Sequence, residues 1–346
     1  MKIDRRTLRQ GKDFAAAGLS DAETVDRVAE HYAVAMTPLL AGLIDRGNPD
    51  DPIARQFVPD LRELDISPAE RSDPIGDQAF SPVKGIVHRY PDRLLFTPLL
   101  HCPVYCRFCF RRERVGGAEK MLDDAEWDAA LDYIRAHDQV WEVVITGGDP
   151  LMLPPARLRQ MMAALDAIPH VQIVRLHSRI PVADPERIEA ELVAALTLER
   201  ATLWLAVHCN HAREFSPTAI AALRALSGAG IPLLGQTVLL RGVNDKAETL
   251  EALFRAMVAN RVKPYYLHQL DLAAGTDHFR VPVAEGQRLM RELRGRVSGL
   301  CQPTYILDIP GGHGKVPIGP AYLEEGIVLD WQGGGHDYRP DAPSLA

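Results

Sequence analysis

The sequence predicts an α/β fold: six or so strand–helix units that close partly into a barrel, behind a helical N-terminal segment. Three observations predict it. From residue 93 onward, short apolar runs alternate with amphipathic stretches of helical length, the pattern of parallel strands joined by crossover helices. The length, 346 residues, suits one barrel with an added segment. The polar residues that stand out all follow the apolar runs, and barrel active sites sit at the carboxyl ends of strands. The expected divisions are a helical segment over 1–85, the barrel over 86–320 and a C-terminal tail over 321–346.

In the first segment, Ser20 and Glu23 form a capping-box pattern, and Val25, Val28, Tyr32, Met36 and Leu39 recur near a helical period. Residues 47–82 are rich in Pro, Asp and Gly and predict irregular wrapping. "RLLFTPLL" (93–100) is the first barrel strand, and "DDAEWDAALDYIRAH" is a helix with Trp127, Leu131 and Ile134 on one face. Further strands are expected at 140–146, 171–177, 201–207, 231–240, 263–271 and 303–309. Helices near 155–167, 184–197, 216–229, 246–260 and 283–298 separate them. At the strand ends come Gly147-Gly148-Asp149, His177-Ser178-Arg179, His208 with Asn210 and His211, His268 with Asp271, and Asp308; Gln236 lies on a strand. Their convergence outweighs any single motif.

Composition narrows the class. Hydrophobic residues make up 47% and charged residues 25%, ordinary for a soluble globular chain. The net charge of -7 argues against general nucleic-acid binding. No apolar run is long enough to span a bilayer, and the N-terminus lacks the apolar core of a signal peptide. Five cysteines in a chain this long make no disulfide framework. The expectation is a cytoplasmic protein with neither a membrane nor a nucleic-acid partner.

"HCPVYCRFCFRRERVGG" (101–117) holds Cys102, Cys106 and Cys109, spaced C-x3-C-x2-C. A closed zinc site needs four ligands; Cys209 and Cys301 lie far away, and His101 would have to fold back sharply. Three thiolates suit an iron–sulfur cluster and leave one iron of a [4Fe-4S] cluster open. A structural zinc knob is the bland alternative. With Phe108 before its last cysteine, the motif resembles the radical S-adenosylmethionine signature. That resemblance implies that S-adenosyl-L-methionine chelates the open iron. Gly147-Gly148-Asp149 resembles the superfamily's second motif, whose backbone meets the methionine amino group, glycine allowing the close approach.

"DIPGGHGKVPIG" carries Lys315. It is not a P-loop: Ile309 stands where the first glycine belongs, Val316 replaces Ser/Thr, and Pro317 discourages the helix. A surface lysine in a flexible turn is one reading. The other is a Schiff-base lysine on compact backbone that makes room for an aldehyde cofactor.

Across 80–320, and more loosely over 20–80, the chain resembles the lysine 2,3-aminomutase family. The matching blocks, in order, are "HRYPDRLLFTPLLHCPVYCRFCFRR", "TGGDPL", "HSRIPV", "QTVLLRGVND", "PYYLHQLDLAAGTDHFR" and "LDIPGGHGKVP". The resemblance implies a partial (β/α)6 radical S-adenosylmethionine barrel and an isomerase that moves the α-amino group of L-lysine from C2 to C3. It implies a [4Fe-4S] cluster on Cys102, Cys106 and Cys109, S-adenosyl-L-methionine, and pyridoxal 5′-phosphate on Lys315. It assigns Arg89, Tyr90 and Arg93 to the phosphate, Arg111 to the substrate carboxylate, and Asp271 and Asp308 to the distal ammonium. Gly147, Gly148, Asp149, Arg179 and Gln236 are assigned to the cofactor region, with an ion pair and a turn cap as the plain alternatives for Arg179 and Asp149.

Arginine as substrate, the related branch that makes (R)-β-lysine for elongation factor P, a cofactor-poor radical enzyme and a non-catalytic metal sensor stay open at this point. An electron donor such as flavodoxin or ferredoxin is implied, and a homo-oligomer is left open. There are departures. Lys246 stands where long members have a zinc-ligating cysteine, and the chain ends at Ala346 without a cysteine-rich tail, so no zinc is expected. His268 replaces a tyrosine, and His313 stands in a loop that is often all glycine.

Overall fold

The computed structural model describes residues 7–117 and 121–339. Nine strands form one sheet in chain order: β1 (Ile86–Tyr90), β2 (Arg93–Leu99), β3 (Glu142–Gly147), β4 (Ile173–Ser178), β5 (Thr202–His208), β6 (Leu233–Val238), β7 (Val262–His268), β8 (Thr304–Ile309) and β9 (Gly314–Pro317). The neighbours from β2 to β8 run parallel. They are joined by six crossovers that carry helices, among them Asp124–Arg135, Pro155–Asp166, Pro217–Gly228, Ala247–Ala259 and Val283–Arg296. β1 and β9 flank this sheet antiparallel and are its two edges, so the barrel is open between them. The α/β partial (β/α)6 barrel is the expected fold.

The helices bury the faces that their periodicity predicts. Trp127, Leu131 and Ile134 are inside, and the Trp127 ring meets Phe96 of β2 edge-on at 5.3 Å. Differences come where proline and glycine intervene. The long N-terminal helix is a short one, Ala22–Ala29, capped by Asp21 rather than Ser20: its carboxylate accepts from the Thr24 N–H at 2.8 Å. Met36 instead bridges to Leu8, and Leu39 belongs to a new helix, Pro38–Leu43, because the residue before a proline avoids the helical region. The expected 184–197 helix is broken into Pro185–Arg187 and Ala190–Ala195, with Asp184 held at φ −146.

The N-terminal segment clasps the cysteine loop. Glu63 is fully buried and pairs with both Arg107 and Arg112; its oxygens accept from Arg107 Nε at 2.9 and 3.0 Å. Burial alone would raise its pKa, but the two guanidiniums outweigh burial and hold the carboxyl low. Glu63→Ala leaves two arginines buried without their partner. The expected cost is about 3 kcal/mol in urea unfolding at neutral pH; a loss below about 1 kcal/mol would contradict this account. Since the folded value is depressed, the contribution is present above the ordinary glutamate value and fades as pH falls through the lower folded one.

The last strands, β10 (Leu323–Glu324), β11 (Ile327–Leu329) and β12 (Gly335–Asp337), form a small separate sheet. Among the described residues no helix is long and apolar enough to cross a membrane.

Candidate active site

A cavity of about 610 Å³ runs through the open barrel. The residues given a site role all line it: Cys102, Cys106, Cys109, Arg89, Tyr90, Arg93, Arg111, Gly147, Gly148, Asp149, Arg179, Gln236, Asp271, Asp308 and Lys315; Asn210 and His211, grouped at a strand end in the sequence, do not. Arg89, Tyr90 and Arg93 lie apart from the carboxyl ends of the strands, since they precede or open the first expected strand. Arg93 opens β2 and stands in register with Glu142, the first residue of β3. The reason is β1, which sequence reading missed because charged residues interrupt it: running antiparallel, it returns Arg89 and Tyr90 to the amino ends.

At the carboxyl end, the cysteine loop is pinned by backbone bonds that do not depend on its thiols. Tyr105 N–H donates to Ala35 O at 3.0 Å, and Arg107 N–H to Gln56 O at 2.9 Å. Burial pushes all three thiols up, Cys109 to about 11. Arg179 is buried and donates from Nη1 to Cys106 Sγ at 3.1 Å while pairing with Glu214 at 3.2 Å. It is thus both an ion-pair partner and a neighbour of the thiols. Asp149 is fully engaged: its oxygens accept from Ser178 Oγ at 2.8 Å and from the amides of Leu151, Arg179 and Ile180. Burial still raises its carboxyl to about 6. A Cβ on Gly148 would overlap the His101 backbone, so the closest approach this glycine permits is that of the cysteine loop itself.

At the edge of the sheet, Lys315 Nζ pairs with Asp308, which it faces across the β8–β9 register. Asp271 stands beside them, its carboxyl pushed up to about 7, first by burial and then by the Asp308 charge. Arg111 is not free: it donates from Nη2 to Asp77 Oδ2 at 2.8 Å, and Arg89 takes Asp77 Oδ1 at 3.0 Å. Sequence reasoning missed Asp77, which sits in the irregular stretch where nothing local marks it. His177, His208 and His268 also line the cavity, and burial, first among several causes, holds each well below the ordinary histidine value, so they are neutral.

The walls fit the cofactors that the resemblance implies. Among the described residues, the buried polar atoms without a partner include Arg89 Nε, Asp308 Oδ1 and the Nε2 atoms of the three histidines on this cavity, beside others elsewhere in the molecule. Such atoms call for a polar ligand. Among the described residues no three His, Cys, Asp or Glu side chains are placed to hold a single metal ion. Three separate thiolates suit a cluster, in which each binds its own iron.

Comparison with known proteins agrees. The sequence profile of the radical SAM superfamily matches residues 97–254, and a lysine-2,3-aminomutase profile matches 290–327. The L-lysine 2,3-aminomutase of Acetoanaerobium sticklandii is 40% identical over 317 residues, which cover 92% of this chain and 76% of that protein. That of Fusobacterium nucleatum is 41% identical over 312 residues, covering 90% and 73%. That of Escherichia coli K12 is 40% identical over 275 residues, covering 80% of each. With such identity over most of both chains, and three thiols, a lysine and an acidic pair around one cavity, the chain belongs to the lysine 2,3-aminomutase family of the radical SAM superfamily.

Proposed function

We propose that the protein is an isomerase that moves the α-amino group of L-lysine from C2 to C3, giving β-lysine. One observation carries the reading: a single cavity joins three thiols, one lysine and two acidic side chains. When bound, the [4Fe-4S] cluster with S-adenosyl-L-methionine supplies the radical, and pyridoxal 5′-phosphate supplies the aldehyde that holds the migrating nitrogen.

The chain's own residues bind and orient. Cys102, Cys106 and Cys109 hold three irons. Gly147, Gly148 and the backbone pinned by Asp149 shape the place for S-adenosyl-L-methionine, with Arg179 at its edge. Lys315 anchors the aldehyde. Arg89, Tyr90 and Arg93 take the phosphate, and the unpartnered Arg89 Nε points to that task. Gln236 lines the same region. Arg111 meets the substrate carboxylate, its guanidinium held in place by Asp77. Asp271 and Asp308 hold the distal ammonium, since the Asp308 charge beside Asp271 calls for a cation between them. The neutral histidines keep further positive charge away from that ammonium. On this reading the chain divides into an N-terminal segment, 1–85, and a barrel, 86–320, and a flavodoxin- or ferredoxin-type donor reduces the cluster.

The test is an anaerobic assay of reconstituted protein with L-lysine, S-adenosyl-L-methionine, pyridoxal 5′-phosphate and dithionite, resolving products by chiral chromatography. β-Lysine is the expected product. A full cluster and bound pyridoxal 5′-phosphate without β-lysine would remove lysine as the substrate.

A further inference from the structure

Lys315 rides on an edge strand of four residues, and the flank of β9 that faces β1 has no ladder partner. One side-chain bond crosses that seam to Lys315. The Lys315 backbone N–H donates to Tyr90 Oη at 2.8 Å, from the last residue of β1. The Tyr90 ring is held in turn by Arg93, whose guanidinium lies 3.8 Å from its centroid and pairs with Asp92 at 2.7 Å.

The glycines around Lys315 serve this contact. Gly314 has φ +89, and a Cβ there would lie 2.8 Å from Tyr90 Oη. A Cβ on Gly312, at φ +88, would overlap Phe80. A Cβ on Gly76, at φ +70, would lie 2.6 Å from Gly312 N. The sequence reading gave these glycines the task of making room for a cofactor. In the structure, Gly312 and Gly314 make room for the protein's own Phe80 and Tyr90.

We infer that Tyr90 is a positioning residue for Lys315: its hydroxyl latches the lysine's backbone across the open seam and so sets where the amine meets the cavity. The inference rests on Lys315 being the anchoring lysine, and it adds to Tyr90 a duty separate from phosphate contact. One hydroxyl can do both, because accepting from the Lys315 amide leaves its own proton to donate.

The test uses Tyr90→Phe and Gly314→Ala in the iron-reconstituted protein loaded with pyridoxal 5′-phosphate. Hydrogen–deuterium exchange is followed on the peptide over 310–318, and cofactor retention by its visible band. Tyr90→Phe is expected to speed exchange at the Lys315 amide by about three- to tenfold, the worth of one hydrogen bond, and to weaken retention by a similar factor. Iron content stays at the wild-type level. Gly314→Ala is expected to speed the same amide by pushing the hydroxyl away. Weaker retention with unchanged exchange would overturn the latch and leave Tyr90 a phosphate ligand alone. Unchanged exchange and retention would overturn it outright. If borohydride fixes no pyridoxyl label on Lys315 in the wild type, the anchoring role fails, and the exchange rates still decide the latch.

Discussion

Lys315→Ala is expected to reduce turnover by roughly a thousandfold or more, about 4 kcal/mol in transition-state terms. Among the described residues Lys315 is the one lysine on the cavity wall, so no second amine stands ready to replace it. Its removal also strips Asp308 of its ion-pair partner at the point where the substrate must enter. Lys315→Arg separates the two losses. It keeps a cation beside Asp308 but offers no amine that can condense with an aldehyde. Both variants should lose the borohydride-fixed pyridoxyl label, while Lys315→Arg should keep the thermal stability that Lys315→Ala gives up. Turnover above a few per cent in Lys315→Ala would sink the assignment.

The second large effect concerns the acidic pair. Asp271→Asn and Asp308→Asn should each raise KM for lysine about a hundredfold, because each removes one charge from the site proposed for the ammonium. The pH dependence follows from Asp271, whose carboxyl lies near 7 in the folded protein against 3.8 unperturbed. A raised carboxyl favours the folded state while it is protonated. That contribution is full below about 4 and is lost as pH rises to 7, where an uncompensated charge remains in the cavity. A cationic substrate restores the balance. Binding should therefore strengthen as pH rises through 7, and KM should climb about tenfold per unit below it. Asp271→Asn should flatten that limb. Asp308→Asn should move it to lower pH, since the Asp308 charge is the second cause that holds Asp271 up. A limb unchanged in both variants would place the titrating group elsewhere.

What the sequence made legible was what sits close together along the chain. The C-x3-C-x2-C loop needs eight consecutive residues, Cys102 to Cys109, so its three thiols are gathered without knowledge of the fold. The strand–helix rhythm carries the barrel for the same reason, since a helical face such as Trp127, Leu131 and Ile134 is written at fixed spacing. Asp77 was not legible. Its meaning is a pair of arginines, Arg89 and Arg111, that reach it from 12 and 34 residues away. Nor were β1 and β9: each is short, β9 holds Gly and Pro, and each pairs because a longer neighbour offers its edge. The glycines before Lys315 stand out in the sequence, but their approach to Phe80 and Tyr90 does not, because those atoms belong to a distant segment.

The clasp formed by Glu63 with Arg107 and Arg112 bears on how the protein matures. Many small metal sites stay unfolded until the metal arrives. Here the loop that bears the thiols is already fastened, through Ala35, Gln56 and Glu63, by bonds that involve no sulfur. The shape of the thiol-bearing loop and its filling are therefore separate matters: the fastenings that set the first draw nothing from sulfur.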